Sequence, residues 1–413
     1  MKYFTRLLLL SLLTANASAE SILIKNVDIY SGSKTLPSSH IYIVDGRITA
    51  LGEAVPETAD RVIDGSGKSI SPGLFNAETH LGAVEVSAIR QTVDFYTDNA
   101  EVTASLKVAD AFNPNSTLLP HNRIHGLTHA LSVPESNSGL FAGQVALIEL
   151  GNPPRVLNDS VAVAMEFSEY GASLAGNSRA AAMAVLRQNL ADAIDFSANK
   201  NAALAGQRRE YSLSLADLQA LEPIVKGTQP LIVKVHRASD ISNILKLADE
   251  YAIKLILSGV MEGWMVANDI ARANVPVIMD PIYNLPQSYE SLGARLDNAK
   301  LLNDAGVTLI FTGMSSSQST HNAYLVRQSA GNAVANGLDK NSAIAAMTTN
   351  PTSVFNANLN TDIKVGAIAN LVLWGGDPLE MTSEAELVMI NGEQIAMASR
   401  SLQLRDRYFK AAP

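Results

Sequence analysis

The sequence predicts an α/β protein: a (β/α)8 TIM-like barrel carrying a small composite β-sandwich domain formed by its two ends. Three observations lead there. Short apolar strands alternate with helical patterns through most of residues 73–351, and two alternating, hairpin-rich stretches flank them. At 413 residues with 47% hydrophobic content, the chain can bury a core of that size.

Residues 1–20, MKYFTRLLLLSLLTANASAE, join a basic start (Lys2, Arg6), an apolar run over 7–13 and a small-residue end at Ala17-Ser18-Ala19. That pattern reads as a secretory signal peptide over 1–19 and implies an exported, periplasmic protein. Beyond it no apolar run approaches the roughly 18 residues that span a bilayer. Residues 20–72 alternate and turn, and Asp45-Gly46 between alternating runs is a hairpin signal. From 73 to 351, apolar strands at 126–134, 161–167, 230–237, 253–259, 275–281 and 307–313 are separated by helical patterns at 178–204, 239–251, around 291–305 and 320–337. Such repetition predicts a parallel sheet, and barrel closure is its most economical arrangement. Over 352–413 the alternation returns, with Asn391-Gly392 as a further hairpin signal. The two β-rich ends are expected to pair into one sheet domain.

The chain has no cysteine, which excludes disulfides, a thiol nucleophile and cysteine-bound zinc. Without Lys2 and Arg6 the basic count falls from 31 to 29 against 40 acids, a net charge of −11. An acidic chain with no basic cluster argues against nucleic acid and anionic membranes as partners. No Walker loop, dinucleotide fingerprint or Gly-x-Ser-x-Gly elbow is present.

Candidate site residues gather at strand ends, where parallel barrels keep their chemistry. The strand opening at Pro72-Gly73 ends in Glu78-Thr79-His80. Glu78 and His80 are two apart and share a face, as do Lys234 and His236 at the end of 230–237. A carboxylate and an imidazole form a partial ligand set for one divalent ion such as zinc. With no ion, the alternative is an ion pair between Glu78 and Lys234. His321, after a serine-rich loop, either lines a pocket or follows a helix cap. His121, His125 and His129 are spaced by four, but Pro120 and Gly126 favour a turn feeding a strand over a metal triad. Trp264 and Met265 read as core between helix and barrel.

The N-terminal sheet, the Pro72-Gly73 strand ending at His80, GLTHALSVP (126–134), AAMTTNP (345–351) and VGAIANLVLWGGDPLE (365–380) occur in an order that resembles the amidohydrolase superfamily. The likeness covers nearly the whole mature chain and looks closest to the exported, imidazolonepropionase-like branch. It implies a divalent-metal centre at the C-terminal strand ends and hydrolysis of non-peptide carbon–nitrogen bonds. At the family's ligand positions this chain has Glu78 for the first histidine of His-x-His, His80 retained, and Lys234 for a histidine with His236 two on. Ser258 stands for the histidine of a His-Gly end, Met314 for the last strand's aspartate, and Ala164 near the bridging lysine. Methionine is no base, and a lysine ammonium repels a cation.

The expectation is therefore an atypical or reduced metal site, with Glu78 and His80 as ligands of one ion, or with none. Lys234, His236, Ser258, Met314 and His321 are expected to line the substrate pocket, and no catalytic residue is assigned. The expected function is hydrolysis of a small carbon–nitrogen substrate; the alternative is an inactive amidohydrolase-fold protein that binds a small molecule or a partner. Homo-oligomerisation is expected by analogy alone.

Overall fold

The structure, a computed structural model, describes residues 20–32, 34–313, 319–355, 359 and 361–409. The signal-peptide segment and Met314 lie outside them. No described helix is long and apolar enough to cross a membrane.

The chain begins with β1 (Ser21–Ser31), β2 (Lys34–Val44), β3 (Arg47–Leu51), β4 (Arg61–Asp64) and β5 (Ser69–Pro72). β1 pairs antiparallel with β2 and parallel with β4 and β5. The β2–β3 turn places Asp45 and Gly46 both at positive φ (48° and 71°). That conformation matches the right-handed strand twist and is why Asp-Gly sits there.

The barrel sheet follows in the order β6 (Leu74–Thr79), β7 (Leu127–Ser132), β8 (Phe141–Glu149), β9 (Arg155–Glu166), β10 (Leu231–Val235), β11 (Leu255–Gly259), β12 (Val277–Met279) and β13 (Leu309–Phe311). Its neighbours are parallel except at β8, which runs antiparallel to both β7 and β9. An all-parallel sheet, expected from the alternation, fails here for a simple reason. Residues 133–140 and 150–154 are too short for the dozen or more residues of a parallel crossover. Along the parallel strands, Ala164, Ile232, Ile256, Ile278 and Ile310 fill the barrel interior. Their neighbours Val163, Val233, Leu257, Val277 and Leu309 pack outward against the helices. Both faces are buried, so these strands read as continuous apolar runs.

The outer helices start where the sequence supplies caps. Ser178 accepts from the Ala181 amide at 3.3 Å to open the helix Arg179–Ala198, which buries Leu186, Leu190 and Phe196. Asn199 interrupts the expected span to 204, and a short helix, Lys200–Leu204, completes it. The expected helix near 291–305 is confined to Asn298–Asp304, and that of 320–337 splits into a 3-10 segment, Ser319–Leu325, and Val326–Ala335. Met265 is exposed rather than core, and Trp264 instead donates to the Gly293 carbonyl at 2.8 Å.

Side chains stitch the seam between β13 and β6. Thr312 Oγ1 lies 2.8 Å from Asn76 Oδ1, and Asn76 Nδ2 donates to the Ala323 carbonyl at 2.9 Å. The chain then returns to the first sheet with β14 (Leu371–Trp374), β15 (Ala385–Ile390) and β16 (Glu393–Gln394). β14 pairs antiparallel with β5, so both ends of the chain share one curled sheet around Ile24, Ile43, Ile70, Leu371 and Leu387. The turn glycines of its two halves touch: a Cβ on Gly46 would stand 2.3 Å from the Gly392 carbonyl oxygen.

Candidate active site

The parallel register of β9, β10 and β11 sets Glu166, Lys234 and Ser258 side by side as Cα partners. Each lies two residues beyond an interior apolar side chain, so all three face the barrel axis and form a polar row above it. Glu78 reaches the row from β6. The sequence reading expects Lys234 within ion-pair reach of Glu78, and Lys234 Nζ stands 3.2 Å from Glu78 Oε1. Ser258 Oγ donates to Glu78 Oε2 at 3.0 Å.

His80 turns to other partners. Its Nδ1 lies 2.8 Å from the Val133 carbonyl and its Nε2 lies 3.0 Å from Glu135 Oε1, while the ring stacks on Phe95 at 3.7 Å. Both contacts are acceptors, so the ring can donate through both nitrogens only as an imidazolium. Among the described residues, the buried Nδ1 of His236 has no hydrogen-bond partner. Its ring lies against Gly259, where a Cβ would stand 2.3 Å from Cε1 and φ is +85°. Only glycine fits that close approach and that backbone angle.

Two cavities meet at Glu78 and Lys234. The first, about 290 Å³, also takes in His80, Glu135, Glu166, Tyr170 and Ser258. The second, about 230 Å³, takes in His236, Asp280, Tyr283 and Thr312. The structure thus brings together Glu78, His80, Lys234, His236 and Ser258. It sets His321 apart from both lobes, with Nε2 3.1 Å from the Glu85 carbonyl. Glu135, Glu166 and Tyr170 are lining residues that the sequence reading does not include. Glu166 was readable there as an acid in phase with Ala164 at a strand end; Glu135 lies in a loop and Tyr170 in a short helix, and neither carries such a signal. A larger cavity of about 890 Å³ opens at the opposite end, around Gln229, Pro230 and Pro276, and shares no residue with the two lobes.

Burial pushes the Glu78 carboxyl up, but the Lys234 ammonium and the Ser258 hydroxyl outweigh it and hold the carboxyl below its ordinary value. In return Glu78 raises the Lys234 ammonium, against burial and with help from Glu166 and Glu135. Burial likewise opposes ionisation of Glu135, which His80 overcomes. Glu166 differs: burial wins over Lys234 and its pKa is raised. Burial, then Lys234, depresses His236 to about 4. The imidazole of His236 is thus neutral at neutral pH. Its proton-detected ring signals should not titrate between pH 5 and 8, whereas a midpoint near 6.5 would mean the ring is not held against Gly259.

No family model matches the chain. Over 78 residues, 18% of its length, it is 44% identical to a 5-methylthioadenosine/S-adenosylhomocysteine deaminase of Thermoanaerobacter pseudethanolicus, and the match spans only 17% of that protein. Its fold resembles an amidohydrolase from Thermotoga maritima with a TM-score of 0.79 at 22% identity, covering 91% of this chain and 99% of that one. The fold is that of the amidohydrolases. A zinc-bound adenosine deaminase from Xanthomonas campestris shares it more distantly, with a TM-score of 0.51 at 15% identity over 94% of this chain and 98% of that one.

The donor set of this amidohydrolase fold does not suit an ion of that kind. Zinc needs nitrogen and oxygen donors with open lone pairs. Here the Lys234 ammonium pairs with the Glu78 carboxylate and His80 commits both ring nitrogens, which leaves the buried Nδ1 of His236 as an open nitrogen beside a repelling ammonium. Among the described residues no three His, Asp or Glu side chains are grouped to hold an ion.

Proposed function

We propose that this chain is an exported member of the amidohydrolase superfamily that hydrolyses a non-peptide carbon–nitrogen bond of a small substrate, at a centre built on Glu78 and Lys234. The observation that carries this reading is the polar row Glu166–Lys234–Ser258, joined by Glu78, at the C-terminal end of an amidohydrolase-fold barrel. Such strand ends hold the chemistry of this architecture. The short match to a deaminase points to the same bond class.

The residues present divide the work as follows. Lys234 and the neutral His236 offer N–H groups to the oxygen that becomes negative as water adds to the carbon, an electrostatic role that grows toward the transition state. Glu78, ionised beside Lys234, accepts a proton from the attacking water. That proton passes to the departing nitrogen as the carbon–nitrogen bond breaks. Ser258 keeps the carboxylate in place through its 3.0 Å hydrogen bond.

The test is turnover of cyclic ureides, 6-aminopurine nucleosides and N-acyl amines, read as ring opening or amine release. One class should be hydrolysed, and Lys234→Met should lower kcat by about a hundredfold to a thousandfold, the scale for losing one oxyanion donor. Turnover untouched by Lys234→Met would sink the assignment, as would no turnover of any class with or without added zinc.

A further inference from the structure

The charges lining the 290 Å³ lobe do not cancel. Glu78 has Lys234 at 3.2 Å, and Glu135 has His80 at 3.0 Å. Glu166 has no cation within ion-pair distance among the described residues; its hydrogen bonds come from Ser168, whose amide donates to Oε1 at 3.0 Å. It is the lobe's odd carboxyl, and it faces the cavity. Beside it Tyr170 is 46% exposed, its hydroxyl tied to Asn137 Oδ1 at 3.1 Å, so that the ring is held as a wall. Val133, Ala142, Ile232 and Ile278 supply apolar walls.

We propose that this lobe receives a small apolar substrate bearing a protonated amine, with Glu166 as its counter-ion and the Tyr170 ring alongside. This rests on reading the lobe as the substrate pocket, and it adds the substrate's chemical class. A carboxylate with a spare oxygen and an aromatic face is the pairing that recognises an ammonium group, through a charge-assisted hydrogen bond and a cation–π contact. The raised pKa of Glu166 has the same origin: burial penalises the lone anion, and an arriving ammonium offsets that penalty. An anionic substrate fits poorly, because the lobe sets three carboxyl groups, Glu78, Glu135 and Glu166, against the single lysine Lys234.

Calorimetric titration of the full mature chain with cyclohexylmethylammonium, cyclohexylmethanol and cyclohexanecarboxylate separates the alternatives, since the three probes differ mainly in charge. The ammonium should bind at least about tenfold tighter than the other two, and Glu166→Gln should weaken it by about ten- to a hundredfold, the range for a hydrogen bond to a charged group. Carboxylate binding equal to or tighter than ammonium binding would overturn the proposal, and so would an absence of binding by all three. The three-probe comparison on the unaltered protein stands by itself if Glu166→Gln does not fold. Ammonium binding without any carbon–nitrogen turnover would leave this inference intact while removing the hydrolase reading; turnover of an uncharged substrate with no ammonium preference would do the reverse.

Discussion

Replacing Lys234 by methionine should invert the acid limb of the protein's stability. In the parent, Glu78 has a depressed pKa, so its contribution is present above the ordinary carboxylate value and is lost as pH falls through the lowered one. Without Lys234, burial acts on Glu78 against only the Ser258 hydroxyl and His80, and its pKa should rise above the ordinary value. The sign then reverses: the folded state holds its proton more tightly than the unfolded chain and loses stability as pH rises. A fully buried charge left without its partner costs roughly 3–5 kcal/mol. Lys234 keeps 36% of its side-chain exposure and Glu78 21%, so about 1–2 kcal/mol at pH 7 is the discounted figure. Urea unfolding at pH 7 and pH 4 should show the mutant's deficit shrinking toward zero at the lower pH. An equal deficit at both would mean that the ion pair does not govern Glu78.

Trp374→Ala should produce the largest loss of stability of any single change considered. Trp374 is fully buried where the curled sheet meets the barrel: its Nε1 donates to Ser71 Oγ at 2.9 Å, and the Arg327 guanidinium stacks 4.9 Å from its ring centre. Gly126 makes room for it, since a Cβ there would stand 2.7 Å from the ring. Removing the ring leaves a cavity between β14 and the strand that follows Gly126, at a cost of about 3–5 kcal/mol. Denaturant unfolding of the mature chain measures it. A loss below about 1 kcal/mol would show that the two parts are not coupled through this residue.

Several elements were legible in the sequence because they depend on local chemistry. The turns at Asp45-Gly46 and Asn391-Gly392 need positive φ at both residues, which those pairs tolerate, and all four residues adopt it. The barrel strands showed as apolar runs because both their faces are buried. Strand direction was less legible. β8 is absent from the strands read in the sequence, which place none between 134 and 161: every one of its residues is buried, so no alternation marks it, and only the short flanking loops reveal its direction. In the site, Glu78 and Lys234 could be placed by their phase at strand ends. Glu135 could not, because it belongs to a loop whose path depends on contacts such as His80 with Val133 and Phe95. The break at Asn199 is local: its side-chain amide donates to the Asp195 carbonyl one turn back at 3.0 Å.

The most direct measurement is metal content after purification without chelator, repeated after incubation with excess zinc and desalting, for the parent and for Lys234→His. With the Lys234 ammonium beside Glu78 and both nitrogens of His80 engaged, the parent should retain well below one equivalent under both conditions. Lys234→His removes the repelling charge and supplies an imidazole, so it should retain more. A parent that holds one or more equivalents through desalting, and loses its activity when they are stripped, would contradict a centre built on the Glu78–Lys234 pair.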